Sequence, residues 1–125
     1  MQPQEYPPSQ TYKINGKSKT QIFNAAKEMF EAQIPLLNTI EYQNFNEGKI
    51  IIRGMSICWI NVYKVYYKYT IIVIARDGSI DFSYGNIRFI EGSECEYNDY
   101  SKPGIDEAMK KIIQDILAEI KAWVT

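Results

Sequence analysis

The sequence contains no histidine, and this absence excludes more chemistry than any other feature of its composition. Histidine is the commonest general base and the commonest ligand of transition metals in proteins. The two cysteines, Cys58 and Cys95, do not have the C-x-x-C spacing of zinc ribbons or of thioredoxin-like redox sites. Histidine-based catalytic and metal sites, zinc ribbons and thioredoxin-like redox sites are therefore excluded.

The chain also has no apolar run near the roughly 20 residues that a membrane-spanning helix needs. Five prolines, seven glycines and 46% hydrophobic residues are typical of a globular domain rather than a disordered chain. The 14 basic and 15 acidic side chains give a net charge of -1, which provides no long-range attraction to phosphate backbones. We therefore expect one globular domain, with no transmembrane segment and no nucleic-acid partner.

Residues 66–78 are the stretch around which the fold is predicted. They are rich in β-branched and aromatic residues and end at the Asp77-Gly78 turn signal, which predicts a central strand of an antiparallel sheet. Further strands are predicted at 11–15, 39–45, 49–60 and 80–90, with a turn at 61–65.

Three details of these strands are also predicted. Ile40 and Tyr42 alternate with polar residues, so they should share one face of an edge strand. Gly54 indicates a bulge within strand 49–60. In strand 80–90 the apolar positions change parity, which requires an extra residue near Gly85-Asn86.

Two helices complete the pattern. A capping box from Ser18 to Gln21 begins the first, which ends near Gln33, and the second runs from Pro103 toward the C-terminus with a broad apolar stripe. The apolar stripes of both helices must be buried against the sheet. The pattern therefore predicts an α+β two-layer sandwich of order β-α-β-β-β-β-α, with both helices on one face of a curved antiparallel sheet. Residues 1–10 are predicted to be a flexible proline-containing lead, and 11–125 a single domain.

The order of elements resembles bacterial domains of unknown function with a TATA-box-binding-protein-like (TBP-like) fold. The resemblance covers residues 11–90 and rests on three features. They are the strand Tyr12 to Ile14 followed by residues 16–19, the turn 46–49 followed by the strand residues 50–54, and the strand end Arg76-Asp77-Gly78. It implies a TBP-like fold and an extracytoplasmic location, and it supplies no catalytic residues. Residues 1–8 show no signal peptide. Their composition suits a linker that remains after a targeting segment has been removed.

The second face of the sheet is the candidate site. Odd positions of 67–75 form one apolar face, which we assign to the helices, so the even positions belong to the other face. Arg53, Asp81 and Ser83 join that face, and Tyr63 at the turn can anchor a contact. The predicted interaction surface comprises Arg53, Tyr63, Lys68, Thr70, Ile72, Ile74 and Arg76. Its partner is expected to be another protein or a second copy of the chain.

The sequence also permits other interpretations of this face of the sheet and of the core. The face can be a partly exposed sheet with tolerated isoleucines, or it can be covered by the N-terminal segment. A small hydrophobic ligand can lie between helices and sheet. Single-stranded nucleic acid would use tyrosines for stacking and Arg53, Lys68, Arg76 and Arg88 for phosphate, but the balanced charge disfavours it.

The remaining reactive side chains predict no chemistry. The acidic loop 91–99 lacks the spacing and glycine of an EF-hand, and Cys95 lies between Glu94 and Glu96, where negative charge disfavours a thiolate. A bridge between Cys58 and Cys95 can form in an oxidising compartment. We expect a non-catalytic protein-interaction domain of a secreted or cell-envelope protein, without catalytic residues, cofactor or metal; the alternative is a small hydrophobic-ligand-binding domain.

Overall fold

The structure of the chain is a computed structural model that describes residues 9–33 and 38–124. Its elements are β1 (Gln10–Lys13), α1 (Lys19–Gln33), β2 (Asn38–Asn44), β3 (Lys49–Ile60), β4 (Tyr63–Arg76), β5 (Ser79–Phe89) and α2 (Lys102–Trp123). The predicted order β-α-β-β-β-β-α is confirmed. The predicted lead lies mostly in residues 1–8, outside the described residues, and Gln10 already belongs to β1.

The five strands form one antiparallel sheet in the order β1-β5-β4-β3-β2, with β4 in the centre and β2 at an edge, as predicted. Pairing of β3 with β4 runs without a break from Lys49 opposite Ile74 to Ile60 opposite Tyr63. The predicted bulge at Gly54 was therefore wrong. The predicted turn 61–65 was also too long, because Asn61 adopts a φ of 56° and lets β4 begin at Tyr63.

The predicted bulge in β5 is confirmed. Lys68 pairs with Arg88 and Thr70 pairs with Gly85, so β5 has one residue more than β4 over this interval. Asn86 adopts a φ of 51°, a left-handed conformation that asparagine tolerates better than most residues. The extra residue keeps apolar side chains on the helix side before and after the bulge, and it places Arg88 on the opposite side, beside Lys68.

A second bulge, in β2, overturns one prediction. Ile40 pairs with Ile52, whereas Tyr42 pairs with the adjacent Ile51, so Glu41 is the extra residue. Ile40 and Tyr42 therefore lie on opposite faces instead of sharing one. Ile40 packs against the core and Tyr42 is exposed. The regular alternation of residue types along β2 carries no sign of this bulge.

Both helices cover the face formed by the odd residues of β4. Tyr67, Ile71 and Val73 are fully or almost fully buried there. Their partners in the core include Ile22, Met29 and Phe30 of α1, and Ile105, Met109 and Ile120 of α2. This arrangement confirms the two-layer α+β sandwich. None of the described helices is long and apolar enough to cross a membrane.

The start of α1 is held by turns at one end of the sheet. The capping box is confirmed, since Ser18 N donates to Gln21 Oε1 at 2.9 Å and Gln21 N donates to Ser18 Oγ at 3.2 Å. The backbone N of Lys19 donates to Asp77 Oδ1 at 2.8 Å, and Lys19 Nζ donates to Asn46 O at 2.7 Å. The helix therefore begins where the β2–β3 and β4–β5 turns meet it.

Gly48 is the glycine that this junction needs most. Its φ is +69°, and its carbonyl accepts a hydrogen bond from Ala75 N at 2.7 Å. A Cβ at this position would lie 2.3 Å from the carbonyl oxygen of Ala75, and that oxygen belongs to the backbone of the central strand. The turn can therefore approach β4 only without a side chain.

Replacing Gly48 by alanine should lower the free energy of unfolding by about 3 kcal/mol, because left-handed strain and a backbone clash act together. Gly16→Ala is the matched control: Gly16 has a φ of +79°, but a Cβ added to it would meet nothing within 4 Å. Its cost should be about 1 kcal/mol. Urea unfolding measures both, and equal losses would show that the close approach to Ala75 contributes nothing.

Candidate interaction surface on the open face of the sheet

The face of the sheet away from both helices is called the open face here, and the pleat of β4 defines its members. Even-numbered residues of β4 point to it, and cross-strand pairing adds the residues directly opposite them on β3 and β5. In the described residues no helix covers this face. It is therefore a sheet face that the described residues leave without a second layer.

Six of the predicted surface residues lie on the open face: Arg53, Lys68, Thr70, Ile72, Ile74 and Arg76. Tyr63 does not, because it shares the parity of the helix-facing residues Val65 and Tyr67. These residues differ in exposure. Ile72 and Ile74 are half-buried and Thr70 is buried, so the centre of the open face offers little apolar surface.

The most exposed apolar side chains of the open face lie on β3 and were missed in the sequence. Met55, Ile57 and Trp59, called the apolar row here, are 41%, 53% and 64% exposed. They pair with Lys68, Tyr66 and Lys64 of β4 respectively. The available signal was the alternation in β3, where Ile50 and Ile52 are buried and the odd positions from Arg53 onward are exposed. Without the β3–β4 register, that alternation does not say which face is covered.

Positive charge is concentrated on the open face. Pairing places half of the chain's 14 basic residues there: Lys13, Lys49, Arg53, Lys64, Lys68, Arg76 and Arg88. Among the described residues, the acidic side chains that form ion pairs with this set are Glu41 and Asp81. The balanced net charge of the whole chain therefore hides a basic surface.

Two of these basic residues are neutralised within the domain. Arg53 Nε lies 2.8 Å from Glu41 Oε2, and Arg76 Nε lies 2.8 Å from Asp81 Oδ2. Asp81 is buried and also accepts a hydrogen bond from Thr11 Oγ1 at 2.7 Å, so it ties β1 to β5 and β4. Arg76 and Asp81 thus have a structural role on the open face.

Lys68 and Arg88 differ from these two pairs. They lie directly opposite each other on β4 and β5, both are exposed, and within the described chain neither forms an ion pair. Like charges at directly opposed positions destabilise a sheet. We call Lys68 and Arg88 the basic cluster. Arg53, two positions from Met55 on β3, lies near them but is paired with Glu41.

Two kinds of reactive side chain, metal ligands and thiols, can be placed in the described residues. No three potential metal-ligating side chains cluster there. Cys58 and Cys95 are free thiols. Burial, and to a smaller degree the neighbouring Cys95, raises the pKa of the Cys58 thiol, which disfavours the reactive thiolate.

The interior between sheet and helices holds one polar group of note. The Tyr67 hydroxyl is buried and makes no hydrogen bond of ordinary geometry in the described residues, while the side chain of its cross-strand neighbour Ser56 lies close enough to interact with it. Burial raises the pKa of Tyr67 from 10.0 to about 12. Burial and a hydrogen bond to Asp106 also raise the pKa of Tyr84, whose hydroxyl donates to Asp106 Oδ1 at 2.7 Å.

Comparison with known proteins agrees with this fold. The sequence model of a family described as a domain of unknown function (DUF4468) with TBP-like fold matches residues 9–90. A TBP-like protein from Parabacteroides distasonis superposes with a TM-score of 0.69 at 14% identity, over 91% of each chain. A DUF4468 family protein from Bacteroides ovatus superposes with a TM-score of 0.57 at 18% identity, over 75% of this chain and 60% of that one. No curated protein matches the sequence. At these identities the superpositions show the fold alone.

The buried tyrosine gives a prediction for alkaline pH. Tyr67 ionises near 10.0 when unfolded and near 12 when folded, so the unfolded state loses its proton first. Stability is therefore fully present below pH 10 and should fall between pH 10 and 12. Tyr67→Phe should lower this dependence in urea unfolding, with a residual fall from Tyr69 and Tyr84, whose pKa values are also raised by burial. An unchanged pH slope in the variant would contradict the assignment.

Proposed function

The chain belongs to the DUF4468 family of domains with a TBP-like fold, and from its open face we propose that it is a non-catalytic protein-interaction domain. The observation that carries the proposal is the apolar row beside the basic cluster on a face without a second layer. Protein-binding surfaces are enriched in tryptophan, methionine and arginine, and they place apolar anchors inside a charged rim. The open face has this composition.

The exposure of Trp59 supports the proposal most directly. A tryptophan that stabilised its own domain would be mostly buried, whereas this ring is 64% exposed on a strand whose other face is packed. Ile57 beside it is 53% exposed, so the two side chains form adjoining apolar surface rather than an isolated exception. A protein partner would remove this surface from water.

A non-catalytic role is supported by the chemistry of the described residues. The sequence has no histidine, and burial disfavours the thiolate of Cys58. Asp81, the buried acid of the open face, is already engaged with Arg76 and Thr11. The proposal includes an extracytoplasmic location, which rests on the family resemblance. Fractionation of the source cells tests this location.

A second candidate function is binding of a small hydrophobic ligand between helices and sheet. The buried Tyr67 hydroxyl favours it, because a ligand acceptor would give this group a hydrogen bond of better geometry than its contact with Ser56. Native mass spectrometry of the purified chain should then show a bound mass that Tyr67→Phe reduces. A single unliganded mass for the unmodified chain, purified from its source, would contradict this candidate.

Trp59→Ala should abolish capture of the partner while leaving the domain folded. The immobilised chain is incubated with an extract of the source cells, and a specific protein should be retained at least about tenfold less by the variant, as expected for an aromatic anchor. Unfolding free energy should change by about 0.5 kcal/mol or less, because the ring is mostly exposed.

Trp123→Ala is the matched control, since Trp123 is a tryptophan of the helical layer that is 40% exposed. It should retain the partner as well as the unmodified chain does. Equal loss in both variants, or retention by Trp59→Ala, would contradict binding through the open face.

A further inference from the structure

We propose that the partner of the open face is an acidic protein surface that also presents apolar side chains, rather than a second copy of this chain. This inference rests on the proposed function and deepens it by specifying the partner's chemistry. It is carried by the position of the basic cluster, Lys68 and Arg88, directly beside the apolar row.

The positive charge of the open face determines that the partner carries negative charge. Lys68 and Arg88 are exposed and directly opposed, and neither has an acidic partner in the described part of the chain. A carboxylate between them would convert a repulsive pair into an attractive one. The domain therefore carries a local instability that binding of an anionic group relieves.

The geometry of the pleat shows that charge and apolar contact belong to one site. Met55 is directly opposite Lys68, and Lys68 is directly opposite Arg88, so the three residues form one row across β3, β4 and β5. The next row toward the hairpin contains Ile57 and Tyr66. A partner that reaches Lys68 must therefore also cover apolar side chains, which calls for apolar groups beside its carboxylates.

A second copy fits this face poorly. In a two-fold contact both copies use the same patch. The basic residues of one open face would then lie against the same basic residues of the other. In the described residues, the acids that could neutralise them, Glu41 and Asp81, already form ion pairs within their own copy. Like-charge contact of this kind disfavours association.

Other anionic macromolecules satisfy fewer of the observations. The bases of a nucleic acid can stack on Trp59, but a nucleic acid offers no aliphatic side chains to pack on Met55 and Ile57. An anionic membrane approaching the hairpin end would meet the acidic loop, where Glu94 Oε2 accepts a hydrogen bond from Lys64 N at 2.7 Å and further acids, at 91, 96 and 99, lie along the chain. An acidic polypeptide avoids both difficulties because it can present acidic and apolar side chains in alternation.

The test is a titration of the isotope-labelled chain, followed by nuclear magnetic resonance, with a synthetic peptide rich in glutamate and leucine. Amide shifts should be confined to β3, β4 and β5, and binding should weaken as salt is raised. Arg88→Glu should weaken binding at least about tenfold. Lys110→Glu, on an exposed position of α2, makes the same change in net charge and should leave binding unchanged.

A stability readout separates loss of a site from loss of fold. Because Arg88→Glu places a carboxylate opposite Lys68, its urea midpoint should rise relative to the unmodified chain, even though binding is lost. A lower midpoint would show that Arg88 stabilises the domain and would overturn the inference. Equal peptide binding by the Arg88→Glu and Lys110→Glu variants would also overturn it.

Competing partners give distinguishable results. Tighter binding of polyuridylate, or of phosphatidylglycerol vesicles, than of the acidic peptide would overturn the inference in favour of that class. A dimer in light scattering that Trp59→Ala dissociates would overturn it while leaving the open face as the binding surface. Failure of Trp59→Ala to affect any partner would instead contradict the proposed function itself.

Discussion

The strict alternation of side chains along β4 is the constraint on which the rest of the structure depends. Its odd residues, including Tyr67, Ile71 and Val73, are buried under both helices, and its even residues face away from them. Because β3 pairs with β4 over its whole length without a break, the same division passes to β3 residue by residue. A slip of one residue would bury Lys68 and expose Tyr67, so the register is strongly determined.

Two bulges modify this division and determine the character of the open face. The extra residue at Asn86 returns Arg88 to the side of Lys68, and the extra residue at Glu41 moves Tyr42 to the open side. The first was predictable, because five apolar residues of β5 change parity around it. The second was not, because β2 is short and polar, so exchanging its faces costs little buried apolar area and leaves no trace in the pattern.

The candidate surface was predictable only in part, for a related physical reason. Alternation in residues 67–76 separates the two faces of β4, which places five of the seven predicted residues together, and pairing of Arg53 with Thr70 adds the sixth. The apolar row could not be recognised, since Met55, Ile57 and Trp59 alternate with Gly54, Ser56 and Cys58, and small residues on the covered side give no hydrophobic contrast. The basic surface was hidden as well, because a net charge of -1 averages over faces that a partner meets separately.

Site-specific photo-crosslinking in the source cells tests the central claim most directly. A photoreactive phenylalanine analogue replaces Ile57 in the full chain, and in a parallel control it replaces Trp123 of the helical layer. A partner on the open face should give a discrete crosslinked protein from position 57 that is absent from position 123. Identical products from both positions, or a product from position 123 alone, would contradict a partner on the open face of the sheet.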